Sequence, residues 1–449
     1  SRIRIIITII VVVLTTLLTG CTGKEPNEIA YVVALGIDST DDDNYKITIQ
    51  YANTTQISGG ASESGGKAGS EIVDNVTIEA PNIYAGVGLA NNIVSKSFSM
   101  SHAKLIVFSK EIAEKGVKDM IETLVRSEEI RPDVFIAVAN TTANDYLTSV
   151  NPEMEVNPAQ YYQLIYQKNQ LVGIPDGQLR EFFTGLYTDN YDSILPVAGV
   201  IEGAGGNSQN DDKGQSKDGQ NEGSEGSSES LDSFESKSSD DKDENEKEKD
   251  AEKNTSKYEY DIKNYVGGET AIEKKNKAEA IGAAVFEKDK MVGELGEVET
   301  EICKILKGDY TYSYLTYYNN DTPDIPITVK TTQQKKPKYK IDTDKKTVDI
   351  ELYIESDLYS LPADYNVENK IEDFERDVAN YTSSACTEFI NNFTKKYNSD
   401  ILKLNEKVKY KFLTNNQYNW FKKNVGWSEY KFSVCTNFKV RRTGLIVRE

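Results

Sequence analysis

The sequence predicts an α+β protein of several domains, with mixed or antiparallel sheets packed against helices and a long amphipathic helix lying on a sheet near the C-terminal end. Three observations carry this. Short apolar runs alternate with helical patterns from Ile29 to Val150. A block with almost no apolar residues then splits the chain. Beyond it, strands lead into one extended helical repeat, so the two halves differ in pattern.

The N-terminal half begins with Ile29 to Ile37, apolar enough for a buried strand, and Tyr45 to Ala52, where Tyr45, Ile47, Ile49 and Tyr51 alternate with polar residues. The Gly- and Ser-rich stretch Ser58 to Ser70 reads as a loop, and Val73 to Glu79 as a further short strand. A helix is expected over Asn82 to Ser95, then a strand through His102 to Phe108. Ser109 offers an N-cap to a helix presenting Ile112, Val117, Met120, Ile121, Leu124 and Val125 on one face. Val134 to Ala139 is a buried strand and Ala143 to Val150 a short helix. From Asn157 to Tyr187 the pattern is aromatic and helical, broken in two by Pro175 and Gly177, and Ile194 to Ile201 is a strand.

Gly203 to Lys257 holds 16 acids and 8 bases, which places about -8 of the formal -20 in that one stretch. With so little apolar surface to bury it is expected to be disordered. Order resumes with Ala280 to Phe286, a polar turn over Glu287 to Lys290, and Met291 to Leu295. A helix is expected near Thr300 to Leu306, and strands over Ile327 to Thr331, Tyr339 to Ile341 and Val348 to Ile354. The strongest helix follows, with Ile371, Phe374, Val378, Ala385, Phe389 and Phe393 at three- and four-residue steps. Ile401, Leu404 and Val408 suggest a second short helix, and Tyr430 to Val440 a final strand.

At the N-terminus, Arg2 and Arg4 precede an apolar run from Ile5 to Leu18 that ends in Leu18-Thr19-Gly20-Cys21. A run of this length is short for a membrane span of roughly 20 residues and has the proportions of a secretory signal. Small residues directly before a cysteine form the pattern of a bacterial lipobox, so Cys21 is the expected lipidation site. Two or more acyl chains, at about 0.8 kcal/mol per buried methylene, give a durable anchor on the outer face of a membrane. The expected organisation is a signal peptide over 1–20, a lipidated tether over 21–28 and an N-terminal α/β domain over 29–152. The helical and aromatic segment with its strand over 153–202 is a second domain or part of the first. The acidic insertion occupies 203–257 and a C-terminal α+β domain 258–449.

Chemistry is scarce. An excess of 72 acids over 52 bases argues against nucleic-acid binding. His102 is the lone histidine, so triads and multi-histidine metal sites would all have to be built around it; a structural role is expected. Once Cys21 is lipidated, Cys303, Cys386 and Cys435 remain, an odd and widely spaced set that reads as buried free thiols, with one disulfide pair and a leftover as the alternative. Gly86-Val87-Gly88 lacks the third glycine of a dinucleotide fingerprint. The expectation is therefore no catalytic residue, no metal, no cofactor and no enzyme activity.

Four landmarks in order resemble the Ger(x)C spore-germination lipoproteins, the C subunits of germinant receptors. They are the lipobox cysteine with the strand ending Ala34-Leu35-Gly36-Ile37-Asp38; His102 to Phe108 followed by Glu111 to Gly116 and Arg126 to Arg131; Gly282 to Phe286 with Lys290 to Leu295; and Ser399-Asp400-Ile401 with Trp420, Trp427 and Arg442 to Ile446. Two departures stand beside them. Thr22-Gly23-Lys24 occupies the place where such proteins carry a Trp-Asp pair, and the acidic insertion is long. The resemblance implies a non-enzymatic three-domain α+β subunit, working in the spore inner membrane beside integral-membrane A and B subunits. A solute-binding lipoprotein of an uptake transporter is the alternative; it predicts two similar lobes, which the dissimilar halves do not supply.

Overall fold

The computed structural model describes residues 2–8, 28–42, 44–52, 73–150, 157–167, 173–188, 190–201, 264–270, 277–318, 326–360, 370–397 and 399–442. Cys21, the tether up to residue 27, most of the signal run, the Ser58 to Ser70 loop and the whole acidic insertion lie outside these residues. The structured parts on either side of the insertion make one compact unit, built on two sheets.

The first sheet contains β1 (Ile29–Ser39), β2 (Tyr45–Ala52), β3 (Val73–Ala80), β4 (Ser97–Ser99), β5 (Leu105–Ser109), β6 (Phe135–Ala139), β7 (Ile194–Val200), β8 (Ala278–Glu287) and β9 (Lys290–Leu295). Its order is β3-β2-β1-β5-β6-β7-β8-β9, with β4 on β1. The centre from β1 to β7 is parallel, and antiparallel hairpins flank it on both sides. Parallel strands joined through helices are covered on both faces, so their sequences run continuously apolar instead of alternating.

Within each strand the side chains still alternate between two cores. Ile106, Phe108, Ile136 and Val138 face α1 (Ile83–Ala90), α2 (Lys110–Lys115), α3 (Lys118–Val125) and the start of α6 (Leu179–Thr188). Leu105, Val107, Phe135 and Ala137 face α4 (Ala143–Ser149) and α5 (Pro158–Gln167). Gly36 is where β1 meets α4: a Cβ there would stand 3.0 Å from Leu147 Cδ1 and 3.1 Å from Ala143 Cβ.

The long helix expected after Ser109 is two helices. Ser109 does cap the first, accepting from the Ile112 amide. Gly116, at φ 123°, then turns the chain by a conformation that L side chains rarely adopt. The Val117 amide donates to Asp289 O, and a second helix starts in a new direction. Val125, expected on the apolar face, is left 40% exposed at its end. His102 likewise lies outside the strand, in a 3-10 turn over Met100–His102.

Sheet membership changes after Leu295, not at residue 258. β8 and β9 complete the first sheet, and β7 joins the 153–202 segment to it. The second sheet comprises β10 (Tyr312–Tyr318), β11 (Pro326–Gln333), β12 (Lys338–Asp342), β13 (Thr347–Ser360) and β14 (Lys431–Arg442). The fourteen-residue β13 organises it. One edge carries β14 in parallel, and the other carries β12 along its first half and β11 along its second. β10 went unread in the sequence because Tyr312 to Tyr318 has no clean alternation. Between the sheets lies α7 (Glu297–Lys307), whose buried Lys304 Nζ donates to Ile174 O at 3.1 Å and whose Ile305 carbonyl accepts from Gln333 Nε2 at 3.0 Å.

The long helix α8 (Ile371–Lys396) buries Phe374, Val378, Phe389 and Phe393, as its periodicity predicts. It also covers the free edge of β14. Ser383 Oγ accepts from the Thr436 amide at 2.9 Å, and Thr387 Oγ1 from the Val434 amide at 3.0 Å. Asn391 both accepts from the Phe432 amide and donates to its carbonyl, at 3.1 and 3.0 Å. Further along, Glu375 Oε1 accepts from the Val440 amide at 2.8 Å. Four residues of helix advance about 6 Å and two of strand about 6.6 Å, so steps of four on α8 stay in register with steps of two on β14. An edge strand with unpaired amides invites foreign strands; here helix side chains occupy it.

Candidate functional site: the junction of the two sheets

The C-terminal end of α8 runs into Ser399, Asp400 and the short α9 (Leu404–Val408), which docks on the first sheet. Ser399 Oγ donates to Phe286 O at 3.0 Å. The Asp400 amide donates to Asp192 Oδ2 at 2.8 Å, and the Asp192 amide donates to Asp400 O at 3.2 Å. The second oxygen of Asp192 accepts from the Lys288 amide in the β8–β9 turn at 2.9 Å. Asp400 spends both carboxylate oxygens on the start of α9, accepting from the Leu404 and Asn405 amides, each at 2.8 Å. An acid aimed at the amides of a helix start satisfies donors that have no partner within the helix.

Electrostatics at this joint are set by burial. Asp400 is 6% exposed. Desolvation pushes its carboxyl up to about 7 against the pull of the Asn405 and Leu404 amides, and nearby Asp192 adds to the rise. Asp192 is raised for the same first reason, opposed by the Lys288 and Asp400 amides. Burial also lowers Lys407. Its ammonium donates to Leu402 O at 2.6 Å and sits 4.7 Å from the Tyr339 ring centre.

A cavity of about 580 Å³ opens beside the joint, lined by Tyr191, Asp192, Lys288, Asp400, Lys422 and Trp427 among others. Its far wall is α10 (Asn415–Asn424) and the 3-10 turn Trp427–Glu429. Trp427 Nε1 donates to Asn405 Oδ1 at 3.2 Å, and Tyr418 Oη to Asn190 Oδ1 and Asn405 O, both at 3.1 Å. Across the same boundary Lys403 pairs with Glu181 at 3.0 Å and lies 4.2 Å over the Tyr191 ring. These polar groups bind backbone and each other. Carboxylates whose oxygens are committed to main-chain amides position the elements they join.

The sequence landmarks meet at such joints. Asp38, at the end of the first, accepts from the Ala143 and Asn144 amides at 2.6 and 3.0 Å and so fixes the start of α4. Glu111 accepts from Ser39 Oγ, tying the second landmark to the first. Lys110 pairs with Glu294 at 2.9 Å, and Gly116 lies against Asp289, tying the second to the third. Phe286 and Ser399 tie the third to the fourth. Asp192 was not singled out from the sequence; its only signal is an acid two residues before the apolar β7.

His102 is exposed. Its ring meets Tyr31 edge-on at 4.8 Å, and Nδ1 shares a hydrogen bond with Ser101 Oγ at 3.0 Å. No group of histidine, cysteine and acid side chains among the described residues is arranged to hold a metal ion. Cys303 and Cys386 are buried free thiols, pushed by burial up to about 11 and about 12. Cys435 departs from the expectation of burial. It is free but exposed, because odd-numbered residues of β14 point away from α8. Tyr161, Tyr162 and Tyr166, from the aromatic helical segment, are 7%, 0% and 2% exposed. Tyr162 Oη donates to Gln50 Oε1 at 2.5 Å inside the core, so these rings pack instead of recognising a partner.

Comparison with known proteins matches residues 23–200 to the spore germination protein N-terminal domain. Residues 281–444 match the spore germination B3/GerAC-like C-terminal domain. Spore germination protein KC of Bacillus subtilis is 26% identical over 176 residues, 36% of this chain and 43% of that protein. The putative spore germination protein YfkR of the same organism is 28% identical over 145 residues, 32% of this chain and 37% of YfkR. These matches thus span less than half the length of either relative. The crystal structure of the GerBC protein aligns with 90% of this chain and 96% of its own, at 15% identity and a TM-score of 0.48. With both halves matched in order around the insertion, the chain belongs to the Ger(x)C family of spore germination proteins.

Proposed function

We propose that this protein is the lipid-anchored C subunit of a germinant receptor and acts by assembly with integral-membrane A and B subunits, without catalysis. In this reading the diacylglycerol on Cys21 fixes the body at the outer face of the spore inner membrane. The folded unit then presents its surfaces to the two partners. The observation that carries it is the pair of spore germination domains over 23–200 and 281–444. The landmark residues support it as well, since they serve as joints that fix the shape of the body and do not gather into a reactive centre.

The test joins three measurements in spores carrying Cys21→Ala or wild-type protein: membrane association, co-purification with the A and B subunits, and nutrient-triggered germination. The variant is expected to leave the membrane fraction and to lose germination. Mass spectrometry finding an unmodified Cys21 in the wild-type membrane fraction would overturn the anchor. Germination that proceeds normally without co-purification of A and B would overturn the subunit assignment.

A further inference from the structure

The segment from Lys403 to Asn424 has a charge opposite to that of the whole chain. It holds six lysines and one glutamate, a net +5 in a protein of formal charge -20. It also carries three of the most exposed large apolar residues of the folded body: Leu413 at 94%, Tyr410 at 78% and Trp420 at 64%.

Local structure shows why these residues stand out in solvent. Thr414 caps α10, its Oγ1 accepting from the Gln417 amide at 3.3 Å. The residue before such a cap usually folds back onto the fourth residue of the helix as a hydrophobic staple. Here that residue is Leu413 and its target would be Tyr418. Phe412 takes the place instead, with its ring 5.9 Å from Tyr418 and 5.0 Å from Phe421. Leu413 is thereby turned outward, beside Tyr410 at the end of a 3-10 turn over Lys409–Lys411. Lys409 and Lys411 are exposed in that turn, and Lys423 on α10.

An apolar tip with aromatic neighbours and a lysine surround has the composition of a membrane-interface contact. The tip enters the acyl boundary, Trp and Tyr sit at headgroup level, and lysines near an anionic surface are drawn to it. Protein interfaces differ, being depleted in lysine. We propose that this segment docks on an anionic lipid bilayer, as a second membrane contact beside the lipid on Cys21. The proposal rests on the anchored reading for its proximity to the bilayer.

Trp420 is the reporter that tests it. The full chain is mixed with vesicles of brominated phosphatidylglycerol or brominated phosphatidylcholine, the vesicle-bound fraction is isolated by flotation, and tryptophan emission is read. Trp420→Phe assigns the signal, since Trp427 is buried. Quenching of Trp420 by the anionic vesicles, absent with phosphatidylcholine, weakened by salt and lost in Leu413→Asp and in Lys409→Glu with Lys423→Glu, is the expected result. A chain that floats with Trp420 unquenched overturns the docking while the anchor stands. If Leu413→Asp in that case also loses the A and B subunits on purification, the surface belongs to a protein partner. A chain that does not float on either vesicle overturns both ideas.

Discussion

Asp192 and Asp400 hold each other through their backbones, the amide of each donating to the other residue, at 2.8 Å onto the Asp192 carboxylate and 3.2 Å onto the Asp400 carbonyl. Buried Asp400 and half-buried Asp192 join the segment after α8 to the first sheet, and both carboxyls are raised.

This pair gives the protein a pH dependence that can be assigned. Folded Asp400 keeps its proton up to about pH 7, whereas an unfolded aspartate loses it near 4. In that window the folded state binds the extra proton. Stability therefore falls as pH rises from about 4 to 7, by roughly 1.4 kcal/mol per pH unit at most, and levels off above. Asp400→Asn is expected to flatten this slope while costing about 1–2 kcal/mol at pH 5 for one lost amide acceptor. Urea unfolding of both proteins from pH 5 to 8 measures it; parallel curves would refute the assignment.

The cover that α8 lays over β14 predicts a graded loss. Ser383→Ala and Thr387→Val each leave one strand amide without its acceptor, at about 1–2 kcal/mol apiece. Hydrogen exchange should accelerate at Thr436 in the first variant and at Val434 in the second. Unchanged exchange at both amides would mean that packing alone protects this edge.

Insertion and scaffold should separate cleanly at Gly199. Val200 pairs with Ala278, so the chain leaves and re-enters the sheet at neighbouring positions. Loop length between fixed ends costs little, about 0.6 kcal/mol per doubling. Deleting Gly206 to Lys253 is accordingly expected to move the melting temperature by no more than about 2 °C. Gly199→Ala should instead lower it sharply, because the added Cβ would stand 2.0 Å from the carbonyl carbon of Gly267. Differential scanning calorimetry on the two variants decides the point, and a large loss on deletion would assign the block a structural role.

At His102 the expected cost is small. Its ring is exposed and touches Tyr31 by an edge, so His102→Asn should destabilise by about 1 kcal/mol or less. Germination of spores carrying it should match wild type. A stable variant that assembles with its partners yet fails to germinate would place chemistry at this residue and remove the contact-only reading.

Local pattern determined most of the elements. The strand over Tyr45 to Ala52, the continuous apolar run of the parallel strands, the breaks at Pro175 and Gly177 and the three- and four-residue steps of α8 each depend on near neighbours in the chain, and each element reappears in the structure, although Thr48 and Gln50, on the polar side of that strand, are buried as well. The family landmarks were legible for the same reason, as short runs of residues. Three things were decided elsewhere. Gly116 splits a helix that its side-chain pattern would continue, since backbone conformation is not written in hydrophobic spacing. β8 and β9 join the first sheet although the insertion separates them from β7, because strand pairing is settled by edges meeting in space. The joint of Asp192 with Asp400 brings together acids more than two hundred residues apart, one of which belonged to no sequence landmark. Burial gives that pair its properties, and burial exists once the two sheets have packed.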